Sequence, residues 1–112
     1  MKTAIISDIH SNLEALQTVL EHAGAAGVDN YICLGDVVGY NADPDACVDT
    51  IRKIPNMRCI LGNHDAMAVG EGPLSGINQQ ALSAIQWTRD HLNDEDKAWL
   101  ASLPLVITDP DA

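Results

Sequence analysis

Three short motifs in the first 65 residues carry side chains suited to hard or borderline divalent cations: Asp8-Ile9-His10, Gly35-Asp36 and Gly62-Asn63-His64-Asp65. Together they offer carboxylates, imidazoles and an amide oxygen. Asp8 and His10 are two apart, so at a strand end period-two geometry would point both to one side and let them hold one cation. Asp36 could bridge, because a carboxylate has two oxygens and can serve two cations ~3.5–4 Å apart, the separation used in two-metal hydrolysis. Asn63 offers a neutral carbonyl oxygen to a second metal. His64 would reach toward a phosphate as proton donor or electrostatic contact. Gly35 and Gly62 allow the backbone to pack closely beside these groups.

Such side chains work together only if the fold delivers them to one place. Each motif follows a short apolar run: Ala4 to Ser7, Tyr31 to Leu34 and Arg58 to Leu61, each about the length of a strand. Leu13, Leu16, Leu20 and Ala23 recur at helical spacing between the first two, with Ser11 and Glu14 placed as a capping box. Between the second and third, Asp43 and Pro44 open a helix with Cys47, Val48, Ile51 and Ile54 on its apolar face, and Pro55 stops it. Strand, helix, strand, helix, strand implies parallel strands joined by right-handed crossovers, the α/β class. In open parallel sheets, ligands bind beyond the carboxyl ends of the strands, where the three motifs fall.

Downstream, Ala81, Leu82, Ile85, Thr88 and Leu92 predict a longer amphipathic helix. Asn93 caps another that buries Trp99, Leu100 and Leu103 before Pro104, and Leu105 to Thr108 read as the start of a fourth strand. Gly70-Glu71-Gly72-Pro73 is the expected mobile loop. His22 and His91 fall on helices away from the strand ends and read as surface or boundary residues. Trp87 and Trp99, at helical spacing, read as core or interface packing rather than a stacking platform. Both faces of the strands are apolar while the crossover helices cover one, which predicts a homo-oligomer burying the other.

The motifs D-x-H, G-D and G-N-H-D, in this order, resemble the signature of the calcineurin-like metallophosphoesterase superfamily. The tracts Ser11-Asn12-Leu13-Glu14-Ala15-Leu16 and Gly35-Asp36-Val37-Val38-Gly39-Tyr40 are similar to a bacterial phosphoesterase subgroup. The resemblance implies the N-terminal half of an α-β-β-α sandwich, with residues 1–112 forming the first part of one metallophosphoesterase domain. It implies that Asp8 and His10 bind metal one, Asp36 bridges, Asn63 binds metal two and His64 assists catalysis on a phosphate-ester substrate. It also implies two divalent ions in the full site, Mn²⁺ foremost, with Fe, Zn²⁺, Ni²⁺ or Mg²⁺ as alternatives. One departure stands out: the family completes its site with a later metal-binding His and a G-H-x-H motif, whereas after His64 this sequence has only His91.

Composition limits the other function classes. A formal net charge of -10 over 112 residues disfavours a large nucleic-acid or anionic-membrane surface. No apolar run approaches the ~20 residues that cross a bilayer, and the N-terminus carries no export signal. Cys33, Cys47 and Cys59 are odd in number and widely spaced, which predicts buried reduced thiols in a cytoplasmic protein. Three readings follow: a phosphoesterase, a non-catalytic metal-binding or assembly module, and an incomplete piece of such an enzyme.

Overall fold

A computed structural model describes residues 1–70 and 74–108. Three parallel strands, β1 (Thr3–Ile6), β2 (Asn30–Cys33) and β3 (Met57–Cys59), lie side by side in chain order. Their register pairs Ile5 with Ile32 and Ile6 with Cys33, then Ile32 with Arg58 and Cys33 with Cys59. Helix α1 (Leu13–Ala25) links the first pair and α2 (Pro44–Lys53) the second, giving the α/β arrangement expected from the order of apolar runs. Among the described residues three further helices follow: α3 (Asn63–Ala68), α4 (Gln79–His91) and α5 (Asp94–Ala101).

The core lies between the sheet and the helices. Leu16 from α1, Cys47, Val48 and Ile51 from α2, Cys33 and Cys59 from the strands, and Leu92 and Leu100 form one buried cluster. Both crossover helices therefore cover the same side of the sheet. Ile5 and Leu34 remain 64% and 47% exposed, the uncovered apolar side that the strand pattern predicts. All three cysteines are free and buried, and burial pushes the Cys47 thiol up to about 12, so it remains a neutral packing group.

Local chemistry sets the helix ends. The cap of α1 is Asn12 rather than Ser11, with its side-chain oxygen accepting from Ala15 N at 3.1 Å. Ser11 is displaced because its backbone sits in the left-handed region at φ 61° and its N–H is already used by Val37 O at 2.8 Å. Asp43 precedes Pro44 at the start of α2 without a side-chain cap bond. Asn78 and Asn93 cap α4 and α5 through bonds of 2.8 Å to Ala81 N and Asp96 N. Trp99 packs against the core, whereas Trp87 is 39% exposed and lies outside it.

Leu105 to Thr108 form no strand. The segment passes the end of β3 with one backbone bond, Leu61 N to Pro104 O at 2.8 Å, and Leu105 and Val106 are 72% and 76% exposed. A ladder needs successive bonds, which this approach does not supply. Most of the expected loop, residues 71–73, lies outside the described residues. Among the described residues, no helix is long and apolar enough to cross a membrane.

An ionic cluster fastens α5 to α2. Arg52 Nη1 donates to Asp96 Oδ1 at 3.0 Å and Nη2 to Glu95 Oε1 at 3.2 Å. Asp96 is only 1% exposed. Burial first, then the Asp49 and Asp45 carboxyls, push its carboxyl up to about 7, against the opposing pull of Arg52. A carboxyl raised in the folded state binds a proton there that the unfolded chain has released. Its contribution to stability is thus full below the unfolded value of about 4 and is lost as pH rises through about 7. We predict that urea-unfolding stability falls between pH 5 and pH 7, one such group contributing a slope of up to ~1.4 kcal/mol per pH unit. Asp96→Asn should flatten that slope, and an unchanged slope in the variant would contradict the assignment.

Candidate metal centre

The carboxyl ends of the three strands open into loops whose backbone is unusual. Among the described residues six non-glycine residues have positive φ, and five of them, Asp8, His10, Ser11, Asp36 and Tyr40, belong to the loops after β1 and β2. Left-handed backbone is costly for residues with a Cβ and concentrates where surrounding structure enforces it for function. It also changes the reason Asp8 and His10 meet. They lie past the end of β1 at φ 56° and 49°, so the loop's curl brings them together and not strand alternation.

The curl is held by bonds between the two loops. Asp8 N donates to Gly35 O at 3.3 Å, His10 N to Asp36 O at 2.9 Å and Ser11 N to Val37 O at 2.8 Å. As a result one ligand atom from each of Asp8, His10 and Asp36 lies within 4.8 Å of the others. His10 Nε2 is 3.2 Å from Asp8 Oδ1, while its Nδ1 is 3.1 Å from the Val38 carbonyl oxygen. With Nδ1–H donating to that carbonyl, the lone pair is on Nε2, the tautomer a metal-binding imidazole needs. The Ser7 hydroxyl, at 2.7 Å, is the first cause holding the Asp8 carboxyl below its ordinary value, and the His10 ring is the second.

The third motif closes around the second. Asp36 Oδ1 accepts from His64 N at 2.9 Å, which places the start of α3 against the carboxylate. A Cβ on Gly62 would overlap Asp36 N and Asp36 Oδ1, and one on Gly35 would overlap the Gly62 backbone, so neither position has room for a side chain. Asn63 stands exposed as the first residue of α3, one position before the His64 amide that meets Asp36. The His64 ring lies 4.8 Å from that of His10, and burial holds its pKa below the ordinary value. Its Nδ1 is buried without a hydrogen-bond partner, against the space that a side chain on Gly39 would fill.

The organising residue was not among those singled out from the sequence. Asp65 is fully buried, and its carboxylate accepts four backbone N–H groups: Asp36 at 2.8 Å, Val37 at 2.9 Å, Gly62 at 3.0 Å and Val38 at 3.2 Å. Burial pushes its carboxyl up to about 6, while the donors from Gly62, Val38 and Asp36 pull it down. Three of its four partners lie 27 to 29 residues away in the chain. His22 and His91 are exposed on α1 and α4, away from this site.

Two carboxylates and an oriented imidazole within 4.8 Å match the donor set of a borderline divalent cation. The sequence pattern of calcineurin-like phosphoesterases matches residues 1–109. The chain belongs to that family. An uncharacterised protein of Methanocaldococcus jannaschii is 45% identical over 93% of this chain and 42% of its own length. A symmetrical bis(5′-nucleosyl)-tetraphosphatase of Psychromonas ingrahamii is 30% identical over 99% of this chain and 41% of its own. The crystal structure of a metallophosphoesterase from Sphaerobacter thermophilus superposes with a TM-score of 0.81 at 42% identity, over 99% of this chain and 44% of that one. A hypothetical protein from Pyrococcus horikoshii shares the fold at 24% identity and a TM-score of 0.78, over 91% of this chain and 47% of that one. The chain thus spans less than half the length of these relatives, and the fold is that of the N-terminal half of a metallophosphoesterase.

The Asp65 network generates a direct prediction. Asp65→Ala leaves four N–H donors without their acceptor in a buried place, and should lower unfolding stability by at least ~3 kcal/mol in urea. Asn63→Ala, at an exposed position, should cost less than ~1 kcal/mol. A loss below ~1 kcal/mol for Asp65→Ala would show that the network does not hold the loops.

Proposed function

We propose that this chain supplies part of the active site of a metal-dependent phosphoesterase acting on phosphate mono- or diesters. The observation that carries the reading is the convergence of Asp8, His10 and Asp36 within 4.8 Å beside His64. Asp8, His10 and Asp36 would hold one cation, and Asp36 with the side-chain oxygen of Asn63 would hold a second. Bound divalent ions supply Lewis-acid charge at the phosphate oxygens and lower the pKa of water. Mn²⁺ is our preferred ion, since a carboxylate and imidazole donor set suits it.

The remaining steps belong to the protein's own groups. An acidic chain repels a phosphate ester, so the carboxylates serve the substrate only through the cations they gather. Val38 O orients His10, and the Asp65 network fixes Asp36 without using the Asp36 carboxylate itself. Burial holds the His64 pKa below its ordinary value and its Nδ1 is buried, so the ring acts through Nε2, whose N–H donates a hydrogen bond to the departing oxygen. The relative named as a bis(5′-nucleosyl)-tetraphosphatase is in keeping with hydrolysis at phosphorus. A cytoplasmic location accords with three reduced thiols.

The family's later histidine ligands have no counterpart in these 112 residues, so the second cation has little beyond Asp36 and Asn63 here. An isolated 112-residue chain should bind Mn²⁺ weakly and hydrolyse bis(p-nitrophenyl) phosphate very slowly or not at all. A protein that carries the remaining ligands should turn it over with Mn²⁺, and Asp36→Asn should reduce that rate at least ~100-fold. Full activity in Asp36→Asn would contradict the assignment. We also propose that the isolated chain self-associates through the face bearing Ile5 and Leu34. Light scattering should give a mass of at least twice 12.0 kDa, and a stable monomer at micromolar concentration would rule this out.

A further inference from the structure

The sequence contains two Trp, two Tyr and no Phe, and two of those four aromatic residues face one groove. The groove has a volume of about 300 Å³ and is lined by Tyr40, Asn41, Ala42, Ala84 and Trp87. It adjoins the metal centre through Tyr40, whose ring lies 5.0 Å from that of His10, edge-on, and 4.8 Å from that of His64. We propose that this groove receives a planar aromatic portion of the substrate, a nucleobase or a comparable ring, while its phosphate occupies the metal centre. This assignment of substrate class rests on the phosphoesterase reading given above.

Four observations converge on it. First, both rings are accessible yet held. Tyr40 is 52% exposed although its backbone is fixed in the left-handed region at φ 63°. Trp87 is 39% exposed, with the His91 ring stacked on it at 3.9 Å and His91 Nδ1 bonded to Trp87 O at 2.7 Å. Rings fixed beforehand lose little freedom when a ligand stacks on them. Second, Trp87 is spare to the fold, because α4 buries Ala81, Ile85 and Thr88 and leaves the indole off that face.

Third, the lining is neutral in a chain whose net charge is -10. A second phosphate would find no cation among these residues, and a cationic group would find no carboxylate. An uncharged ring is what such a wall accepts. Fourth, Asn41 is anchored by its Nδ2, which donates to His10 O at 2.9 Å, so the groove and the metal ligand move as one unit. The volume sits at the lower end of small-molecule sites, roughly 300–1,000 Å³, and suits one ring system rather than a folded peptide.

The test is a calorimetric titration of the Mn²⁺-loaded full protein with adenosine 5′-monophosphate and with ribose 5-phosphate, which share a phosphate and differ in the base. The nucleotide should bind about tenfold more tightly, Trp87→Ala should erase the difference, and Trp87→Phe should keep most of it. Equal affinities in the unsubstituted protein would overturn the proposal. So would equal weakening of both ligands by Trp87→Ala, since that signals a disturbed fold or phosphate site. Free adenosine separates this claim from the one beneath it. If neither phosphate binds but adenosine quenches tryptophan emission, and Trp87→Phe removes the quenching, the groove stands and the metal-centre reading fails. No quenching in that circumstance overturns the groove as well.

Discussion

One buried carboxylate holds the architecture of the site. Asp65 comes from the first turn of α3, yet its four hydrogen bonds run to the backbone of the loop after β2 and to Gly62. A carboxylate away from water is costly unless its oxygens are satisfied, and this one is satisfied only while the loops keep their shape. The exchange works in both directions. Amides at positions 36–38, which the left-handed turn at Asp36 withholds from ordinary ladder bonding, find their acceptor in Asp65.

That arrangement separates holding from binding. Asp65 fixes the Asp36 backbone, so the Asp36 carboxylate needs only one bond to the His64 amide and keeps its second oxygen. The loop after β1 is then registered on the loop after β2 through four backbone bonds, and Val38 O turns His10. Strain at Asp8, His10, Ser11, Asp36 and Tyr40 is stored against a core of Val37, Val38, Cys47, Val48 and Ile51, all inaccessible to solvent. The three glycines at 35, 39 and 62 let these layers approach within distances that no side chain would permit.

Much of this was legible in the residues. Apolar runs with helical stripes between them gave three parallel strands and two crossover helices, and Asn93 marked the start of α5 directly. The three motifs announced ligand atoms, and Asp8, His10 and Asp36 do come together. What was not legible depends on contacts distant in sequence. Asp65 carries no bracing role in the sequence pattern, because nothing at its own position reveals amide partners 27 to 29 residues away. Ser11 reads as a helix cap, because its left-handed backbone is imposed by the neighbouring loop. Trp87 reads as core or interface packing by spacing, and Ala81, Ile85 and Thr88 already fill the buried stripe of α4, which leaves the indole outside the core. Leu105 to Thr108 have strand composition, but among the described residues the one backbone bond at this approach runs from Leu61 N, beyond β3, to Pro104 O.

The central claim is that this strained, Asp65-braced edge is built to hold a cation. Anomalous diffraction at the manganese edge, from crystals of the protein grown with Mn²⁺, tests it most directly. The account predicts a peak bonded to side-chain atoms of Asp8, His10 and Asp36, with the His10 Nδ1 contact to Val38 O retained. Absence of a peak there, or a peak confined to the acidic cluster around Asp96, would contradict it.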